Sequence, residues 1–582
     1  MLFSPAKFSF AVLESSFRCR PGTLSQLLAI ERRKTHFAMA SDPRPPPPES
    51  SIGDNGLSPG NEKESLSHLP RSALTDSQQD SDAAVENVLA NGAEDQNHAP
   101  HTIFTKTEKR LIVFMASLAG LFSPISANIY FPALNALTAE YHTSSTLINL
   151  TVSIYLIFQG LAPSFTGSLS ENIGRRPVYV ICFVIYIGAN IGLALQHSFA
   201  ALLVLRAVQS SGSSGTVALA NAVVSDVASV SERGVYIGYA SLGGVLGIAL
   251  GPILGGIISD FLGWRFIFWF LVLTGGITFA VLLLFLPETA RGLVDNGSVR
   301  PPKWNLSLWD FFPHVVGRRK HAHGNGVDGV RSSSRAKKAS FFNPLHTLKI
   351  CIDKEASVVL FANGVVYAGY FAVASALPSQ FSEIYKFNDL KIGLSFIPIG
   401  VSSGIATMVV GRAVDWNFAR HSARLGTSVA EAKNRNRELG DFPIERVRCE
   451  VALPILALAS ASTIAYGWVL DFQTSVAGPI VLLFFVGFCA NGFFTILSVL
   501  MVDVYPQAPA TATAANNLVR CWLAAGASFA IVPLIGAISS GWAYTIIAIL
   551  YLLMAPLLWV IMQRGPRWRS ERIAAEKAQR VS

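Results

Sequence analysis

Residues 167–177 read GSLSENIGRRP, a polar segment that lies between two apolar runs. The segment holds an acid, Glu171, and a basic pair, Arg175 and Arg176. Apolar runs of about 20 residues have the length that an α-helix needs to cross the hydrocarbon core of a bilayer. Such runs must be helical in lipid, because lipid offers backbone amides no hydrogen-bond partner. The segment therefore predicts a tight charged turn between two membrane-spanning helices.

Composition supports a membrane protein throughout most of the chain. Of the 582 residues, 51% are hydrophobic and only 14% are charged, which is too apolar for an ordinary soluble domain. The net charge of +9 comes from Lys and Arg gathered between apolar runs and in the tail from Arg564 to Arg580. This distribution is a topology signal rather than a nucleic-acid-binding face. The six cysteines are scattered, so we expect no disulfide framework, metal site or cofactor.

Twelve candidate spans follow Arg110, identified by their length and apolar content. They lie at roughly 110–131, 146–166, 177–197, 199–226, 235–259, 265–286, 356–378, 391–411, 451–470, 477–503, 511–538 and 542–562. Their spacing divides them six and six. The sequence thus predicts an all-α membrane protein with 12 transmembrane helices in two six-helix halves, and the lipid bilayer is its first partner.

The predicted halves are residues 106–290 and 356–563, joined by a polar loop at 291–355 and followed by a tail at 564–582. Residues 1–105 are rich in Ser, Pro, Asp and Asn, and we expect them to be disordered. The first 38 residues are basic with few acids and resemble a mitochondrial presequence. The favoured alternative is that translation starts at Met39.

The distribution of positive charge predicts the orientation of the chain. Short connections after odd-numbered spans, such as residues 140–145 and 471–476, contain no Lys or Arg, whereas those after even-numbered spans are basic. By the positive-inside rule, both termini and the central loop are expected on the cytoplasmic side.

The segment at 167–177 resembles the loop signature of the major facilitator superfamily, with Glu171 where the usual acid is Asp. The resemblance rests on Gly167 and Gly174 as well as on the charged residues. The alternative is a plain stop-transfer cluster, but that leaves the ordered glycines unexplained. The resemblance implies the major facilitator fold, in which two like halves rock around a central site.

A charged latch is predicted at the same end of the bundle. Arg175 is expected to lie beneath Asp226, which ends the fourth span, so that Glu171, Arg175 and Asp226 form a partly buried group. Breaking such a group strands a charge at low dielectric. The second half repeats the pattern more weakly, with a gating role predicted for Arg412, Asp415 and Asp503.

The fifth span carries glycines four residues apart, at Gly247, Gly251 and Gly255, with Pro252 among them. Glycines at this spacing form one smooth face that lets a neighbouring helix approach closely, and proline permits a bend. The alternative is ordinary small-residue packing. The string resembles the signature of the proton-coupled antiporters of the superfamily, which implies export in exchange for protons.

The fourth span carries Arg206, Gln209 and Ser213 on one helical face. A charged side chain inside hydrocarbon needs a polar cavity or a partner. The alternative is that Arg206 extends to the outer surface. The stretch resembles the superfamily signature linked to proton coupling, although Ser210 stands where many members have glycine.

Other deep polar residues are candidates for contact with a small-molecule substrate, because spans one, four, seven and ten line the central cavity of the resembled fold. The alternative is that each merely joins neighbouring helices. The full set of substrate candidates is Asn128, Gln159, Arg206, Gln209, Asn363, Tyr367, Tyr370, Asn491, Thr495 and Arg520.

No Asp or Glu lies in the middle of any predicted span, so the usual carboxylate proton carrier is missing. Protons are then expected to load at Glu171 or Asp226, and the alternative is a uniporter. We find no paired nucleophile and base and no nucleotide-binding loop, so the sequence does not predict an enzyme.

Further stretches, including residues 155–163, 263–269, 286–289 and 516–521, resemble the fungal twelve-span drug:proton antiporters, especially the quinidine-resistance branch. The resemblance implies a plasma-membrane exporter of drugs, polyamines, weak acids or carboxylates, and we expect a monomer. Arg206 and Arg520 favour an anion on electrostatic grounds. Three hypotheses stay open: a broad drug and metabolite exporter, a dedicated organic-acid exporter and a membrane sensor that does not transport.

Overall fold

The structure is a computed structural model that describes residues 102–229, 232–302, 305–311, 345–426, 442–506 and 508–581. All of them belong to one compact unit, residues 97–582. The predicted disordered region before residue 102, with its presequence-like start, and the basic run at residues 318–338 lie outside the described residues.

The described residues form twelve long helices and no strand. The first is broken into three α-helical pieces and the eighth into two. In chain order they are α1 (Lys106–Gly120, Phe122–Asn128 and Leu134–Glu140), α2 (Ser145–Ile173), α3 (Arg175–Leu195), α4 (Phe199–Val227), α5 (Arg233–Leu262), α6 (Arg265–Phe285), α7 (Lys354–Tyr385), α8 (Asp389–Ser395 and Ile397–Arg424), α9 (Ile444–Asp471), α10 (Ala477–Val504), α11 (Pro509–Ile538) and α12 (Ser540–Val581).

Eleven of these helices are long and apolar enough to cross a membrane. The exception is α4, which has 29 residues and packs against α2 and α3 like its neighbours. Its Ser, Gln and Arg side chains make the most apolar stretch of α4 less apolar than those of the other eleven helices. We treat α4 as the twelfth span, since its polar face is turned into the protein and is not exposed to lipid.

Several helices extend beyond the predicted spans at one end of the bundle. The α2 helix continues to Ile173 and α3 begins at Arg175, so the predicted turn is a single non-helical residue. The extensions carry Arg, Lys and Glu, which are good helix formers but fall outside an apolar window. We call this end, which carries Arg175, Asp226 and Arg448, the basic end, and the opposite one the far end.

The two six-helix halves meet along two pairs of helices, α2 with α11 and α5 with α8. Across the first pair, Asn517 donates from Nδ2 to the backbone oxygen of Gln159 at 2.8 Å. Across the second, Gly400 lies so close to Ala249 that an added Cβ would stand 2.6 Å from the Ala249 Cα. Small residues therefore allow the halves to pack backbone against backbone.

The far end of the interface between the halves is closed. The ring of Phe131, between the second and third pieces of α1, stacks on Phe396, between the two pieces of α8, with centroids 5.6 Å apart, and both side chains are fully buried. Asn135 donates to the backbone oxygen of Pro378 in α7 at 2.8 Å. Ser259 of α5 hydrogen-bonds Asp389 of α8 at 2.5 Å. These contacts join the first half to the second at the far end.

Candidate functional site

The turn between α2 and α3 is made by one glycine. Gly174 has φ +105° and ψ 163°, a region that only glycine enters without strain. A Cβ at this position would collide with the carboxylate of Glu288, and the Glu288 Cδ would be 2.9 Å away. Gly167, by contrast, lies inside α2 with open space around it. Of Gly167 and Gly174, the two glycines on which the resemblance of this loop rests, only Gly174 is required by the local geometry.

Glu288 caps the first turn of α3. Its Oε1 accepts the backbone N–H of Arg175 at 2.8 Å and its Oε2 accepts that of Arg176 at 3.2 Å. A carboxylate at a helix N-terminus satisfies otherwise unpaired N–H groups and meets the positive end of the helix dipole. The same carboxylate accepts from Asn305 Nδ2 at 2.8 Å. Glu288 was not among the predicted site residues, because its partner lies far away in the sequence.

The predicted contact between Arg175 and Asp226 is present. Arg175 Nε donates to Asp226 Oδ2 at 3.0 Å, and Arg175 Nη1 donates to Ser170 Oγ at 2.5 Å. Both charged side chains are largely buried. Glu171 is exposed and forms no hydrogen bond or ion pair with another described residue, so it stays outside this group. The pair joins α3 to α4 within the first half.

Arg176 holds the chain that follows α6. Its side chain is buried and donates to the backbone oxygen of Leu283 at 2.6 Å and to Asn305 Oδ1 at 3.3 Å. The two neighbouring arginines of the turn therefore have different partners: Arg175 pairs with α4, and Arg176 binds the end of α6 and the segment that follows it.

The second half repeats the ion pair with a different arginine from the one predicted. Arg448, in the first turns of α9, donates to Asp503 Oδ2 from Nη2 at 2.9 Å and from Nε at 3.0 Å. Arg412 and Asp415 are exposed on α8, and neither pairs with Asp503 among the described residues. The equivalence is one of position, since Arg448 lies in the second turn of α9 and Arg175 is the first residue of α3, both at the basic end. Roles of Arg412 and Asp415 in gating stay predictions.

A second buried charge cluster, which the sequence analysis did not identify, ties the end of α12 to the second half. Arg569 Nε forms an ion pair with Glu445 Oε1 at 3.2 Å, and Arg572 Nη1 forms one with Glu355 Oε2 at 3.3 Å. Glu355, Glu445 and Arg569 are each at most 2% exposed. Arg572 also covers the ring of Tyr505 at 4.1 Å, and burial raises the pKa of the Tyr505 hydroxyl. We call Glu355, Glu445, Arg569 and Arg572 the tail clamp.

Arg206 lies in the interior of the first half. The side chain is completely buried, and its guanidinium lies over the rings of Tyr130 and Tyr155 at 4.1 and 4.4 Å. Arg206 Nη1 donates to Gln209 Oε1 at 2.7 Å, and Gln209 Nε2 donates to Asn190 Oδ1 at 2.8 Å. The cation is thus stabilised by aromatic faces and amides. In this conformation neither predicted substrate residue of α4 is open to a solute.

Arg520 lies between the halves and is only partly buried. Its guanidinium lies between the rings of Tyr367 and Phe494, 4.5 and 4.6 Å from their centroids. Arg520 Nη2 and Nε donate to Asn517 Oδ1 at 2.7 and 3.1 Å. Asn517 in turn contacts Gln159 of the first half. Arg520 is therefore a positioned cation at the junction of the two halves.

The other predicted substrate residues fall into two groups. Tyr367 and Tyr370 join the aromatic patch beside Arg520, with ring centroids 6.1 Å apart. The remaining residues contact neighbouring helices or their own helix: Asn128 packs against Gly251, Gln159 donates to Ser123, Asn363 donates to Asn516, Asn491 donates to Thr407, and Thr495 donates to the backbone of its own helix. The structure thus brings Tyr367, Tyr370 and Arg520 together, whereas the side-chain contacts of the remaining residues lie within their own halves.

The glycine face of α5 packs on α1. A Cβ added at Gly247 would lie 2.8 Å from the backbone nitrogen of Ile125, one at Gly251 would lie 3.0 Å from Asn128 Cβ, and one at Gly255 would collide with the Ile129 oxygen. Pro252 lies inside the helix, and its backbone oxygen lies close to Gly393 of α8. The predicted small-residue face therefore contacts α1, and the opposite side of the helix reaches the second half.

In the described part of the chain, no group of three His, Cys, Asp or Glu residues is suited to a metal ion.

Comparison with known proteins identifies the family of the chain. A profile of the Major Facilitator Superfamily matches residues 116–528. The chain is similar to the MFS-type transporter phiD of a fungal species, 43% identical over 490 residues, or 84% of this chain and 73% of that protein. It is also 43% identical to the MFS-type transporter tstD of Talaromyces stipitatus, over 83% of this chain and 86% of tstD. Citrate exporter 1 of Aspergillus niger is 36% identical, over 84% of this chain and 91% of that protein.

Two solved structures share the fold at low sequence identity. A D-xylose-proton symporter matches with a TM-score of 0.52 and 16% identity, covering 78% of this chain and 97% of the symporter. The human organic anion transporter MFSD10 (TETRAN) matches with a TM-score of 0.50 and 19% identity, covering 79% of this chain and all of that one. With the profile match and the fungal relatives, these findings show that the chain is a multi-pass membrane transporter, not an enzyme, and that it belongs to the major facilitator superfamily.

Proposed function

We propose that the protein exports a small organic molecule across the plasma membrane in exchange for protons, with its basic end in the cytoplasm. The observation that carries this proposal is the way the halves meet. Cross-half contacts close the far end, whereas the ion pairs of Arg175 and Arg448 stay within their own halves at the basic end. A solute would then enter from the basic end and leave when the far end opens.

The glycine face of α5 supports the antiport part of the proposal. Close packing of α5 on α8 joins the first half to the second without bulky side chains, and the packing of α5 on α1 is equally close within the first half. Such a dry contact would limit passive leakage of ions while the halves rock, which an exchanger requires. The Arg175–Asp226 and Arg448–Asp503 pairs would act as the matching latches, one for each half.

Vesicles containing the purified full-length protein would test coupling. We expect efflux of a tricarboxylate or of a cationic drug to rise when protons can flow the opposite way, with the internal pH changing in proportion. A solute flux that is the same with and without a pH gradient would indicate a uniporter. A complete lack of flux for every tested solute would favour the sensor hypothesis instead.

A narrower candidate, an organic-acid exporter, is favoured by Arg520. This cation lies at the junction of the halves between two aromatic rings, and among the described residues no carboxylate pairs with it. A guanidinium presents a planar fork that suits carboxylates. The similarity to citrate exporter 1 of Aspergillus niger supports the same substrate class.

Export of citrate and of a cationic drug from intact cells would separate the two candidates. For an organic-acid exporter we expect Arg520→Ala to lower citrate export at least tenfold and Arg520→Lys to restore part of it, while drug export is spared. Arg567→Ala, at a side chain that is 83% exposed, is the matched control. Citrate export that is unchanged in Arg520→Ala would exclude the anion hypothesis.

A further inference from the structure

A groove of about 380 Å³ runs along the outside of the second half, between α8 and α9 with α10 as its floor. Towards the middle of the bundle the lining is apolar: Val409, Ile455 and Phe488. An added Cβ at Gly492 of α10 would lie 3.0 Å from a methyl group of Val410, so α10 allows the two outer helices to converge over it. This part of the groove is therefore lined by apolar side chains from all three helices.

The other end of the groove, at the basic end of the bundle, is charged. Arg420 of α8 lines it, with its guanidinium 5.5 Å from the ring centroid of Trp416. Trp416 is 64% exposed, as expected of a ring at the boundary between lipid chains and headgroups. Arg424 lies one helical turn beyond Arg420 on the same face, and it is also exposed.

One acid among the described lining residues, Glu450, lies at the charged end, but its charge is compensated. Glu450 Oε2 lies 2.8 Å from His421 Nε2, and Glu450 Oε1 accepts from Arg446 Nε at 3.2 Å. The amide of Asn417 also donates to Glu450 at 3.3 Å. Among the residues that the structure describes, Arg420 and Arg424 therefore leave a net positive charge at the mouth of the groove.

We propose that this groove binds one anionic phospholipid, with its phosphate at Arg420 and an acyl chain along Val409, Ile455 and Phe488. The groove is charged at the basic end and apolar towards the centre of the bundle. A phospholipid has the same arrangement, with a charged headgroup followed by apolar acyl chains. Net positive charge at the mouth selects an anionic headgroup over a zwitterionic one. The site lies outside the junction of the halves and is independent of the transported solute.

Native mass spectrometry of the purified full-length protein would test the site. Phosphatidylglycerol and phosphatidylcholine with identical acyl chains are the two probes. We expect the protein to retain one phosphatidylglycerol about fivefold more tightly than phosphatidylcholine, since one surface arginine contributes on this scale. Arg420→Gln should remove this preference, and Ala413→Phe should lower retention of both lipids by filling the groove. Arg567→Gln, on the exposed tail of α12, should leave both values unchanged.

If the lipid preference came from the overall positive charge of the protein surface, Arg567→Gln and Arg420→Gln would reduce it equally. An equal loss of preference in Arg567→Gln and Arg420→Gln would overturn the proposal, and so would unchanged retention in Ala413→Phe. Val409→Trp is a second groove-filling variant, to be used if Ala413→Phe does not give a monodisperse protein. Displacement of the lipid by millimolar inorganic phosphate would also count against the site, because the acyl chain would then contribute nothing.

Discussion

At Gly174 a single residue carries the turn between two membrane helices. Its positive φ and the carboxylate of Glu288 against it leave no room for a side chain. The same carboxylate binds the first N–H groups of α3, so the backbone of the turn and the cap of the helix depend on each other.

We expect Gly174→Ala to destabilise the protein by about 1–3 kcal/mol from backbone strain, with an additional loss when Glu288 is displaced from its cap. Thermal unfolding of the purified protein, followed by size-exclusion chromatography, would measure this. Gly167→Ala is the matched control, because Gly167 is in the same segment, lies inside α2 and faces open space. Equal melting temperatures for the two variants would contradict the role given to Gly174.

At the residue scale, the sequence predicted contacts that lie close to a recognisable motif and missed those that depend on distant residues. The Arg175–Asp226 pair was predicted because both residues end apolar runs at the same side. Arg448 was missed, since the predicted ninth span began at residue 451, whereas α9 begins at Ile444. Glu288 was missed as a cap for a related reason: only the fold brings it to the turn.

Among the helices, α5 depends most on the absence of side chains. Its contact with α1 runs over Gly247, Gly251 and Gly255, and the closest approach is that of Gly255 to the backbone oxygen of Ile129.

We predict that Gly255→Ala lowers transport and stability together, because the added methyl group must push α1 away from α5. Overpacking of this kind costs about 1–3 kcal/mol. Gly244→Ala, on the same helix but with open space around it, should behave like the parent protein. Solute flux in vesicles and the melting temperature are the two measurements, and a fully active Gly255→Ala protein would contradict the packing argument.

The last helix is held by charge as well as by packing. In the tail clamp, Arg569 faces Glu445 in a site where both side chains are almost completely inaccessible. Removing one partner of a buried ion pair leaves the other without compensation.

Arg569→Ala is therefore expected to destabilise the protein by about 3–5 kcal/mol. Arg567→Ala, two residues earlier on the exposed side of α12, should change stability little. Melting temperatures in detergent would show the difference. A double variant, Arg569→Ala with Glu445→Ala, should regain part of the loss, and no recovery would mean that packing rather than charge holds the tail.

For the helices, the length of the apolar runs was enough to predict their number and positions, since lipid forces long apolar runs to be helical. It did not predict their ends. The last predicted span stopped at residue 562, but α12 continues to Val581 through the tail clamp. The end of α12 is stabilised by contacts between charged residues, and hydropathy cannot predict such contacts.

The whole molecule consists of two halves that contact each other at the far end, whereas the ion pairs of Arg175 and Arg448 at the basic end each stay within one half. The Ser259–Asp389 hydrogen bond crosses from the first half to the second, whereas the Glu140–Arg265 ion pair at the same end stays within the first half. The two pairs differ in whether they span the interface between the halves.

Joining the halves at the far end should stop transport. In a background with the native cysteines replaced by alanine, we expect a short thiol cross-linker to join Ser259→Cys to Asp389→Cys and to abolish flux. Cross-linking Glu140→Cys to Arg265→Cys should leave flux nearly intact, since these positions belong to one half. Continued transport by the cross-linked Ser259–Asp389 pair would contradict a rocking motion that opens the far end.

The cap on α3 also bears on how the protein is made. Arg175 and the carboxylate that accepts its backbone N–H are 113 positions apart in the chain. While a ribosome is still producing the third, fourth, fifth and sixth helices, the start of the third has no acceptor from Glu288. The Glu288-capped form of the turn at Gly174 can therefore form only after the sixth helix and Glu288 have been synthesised.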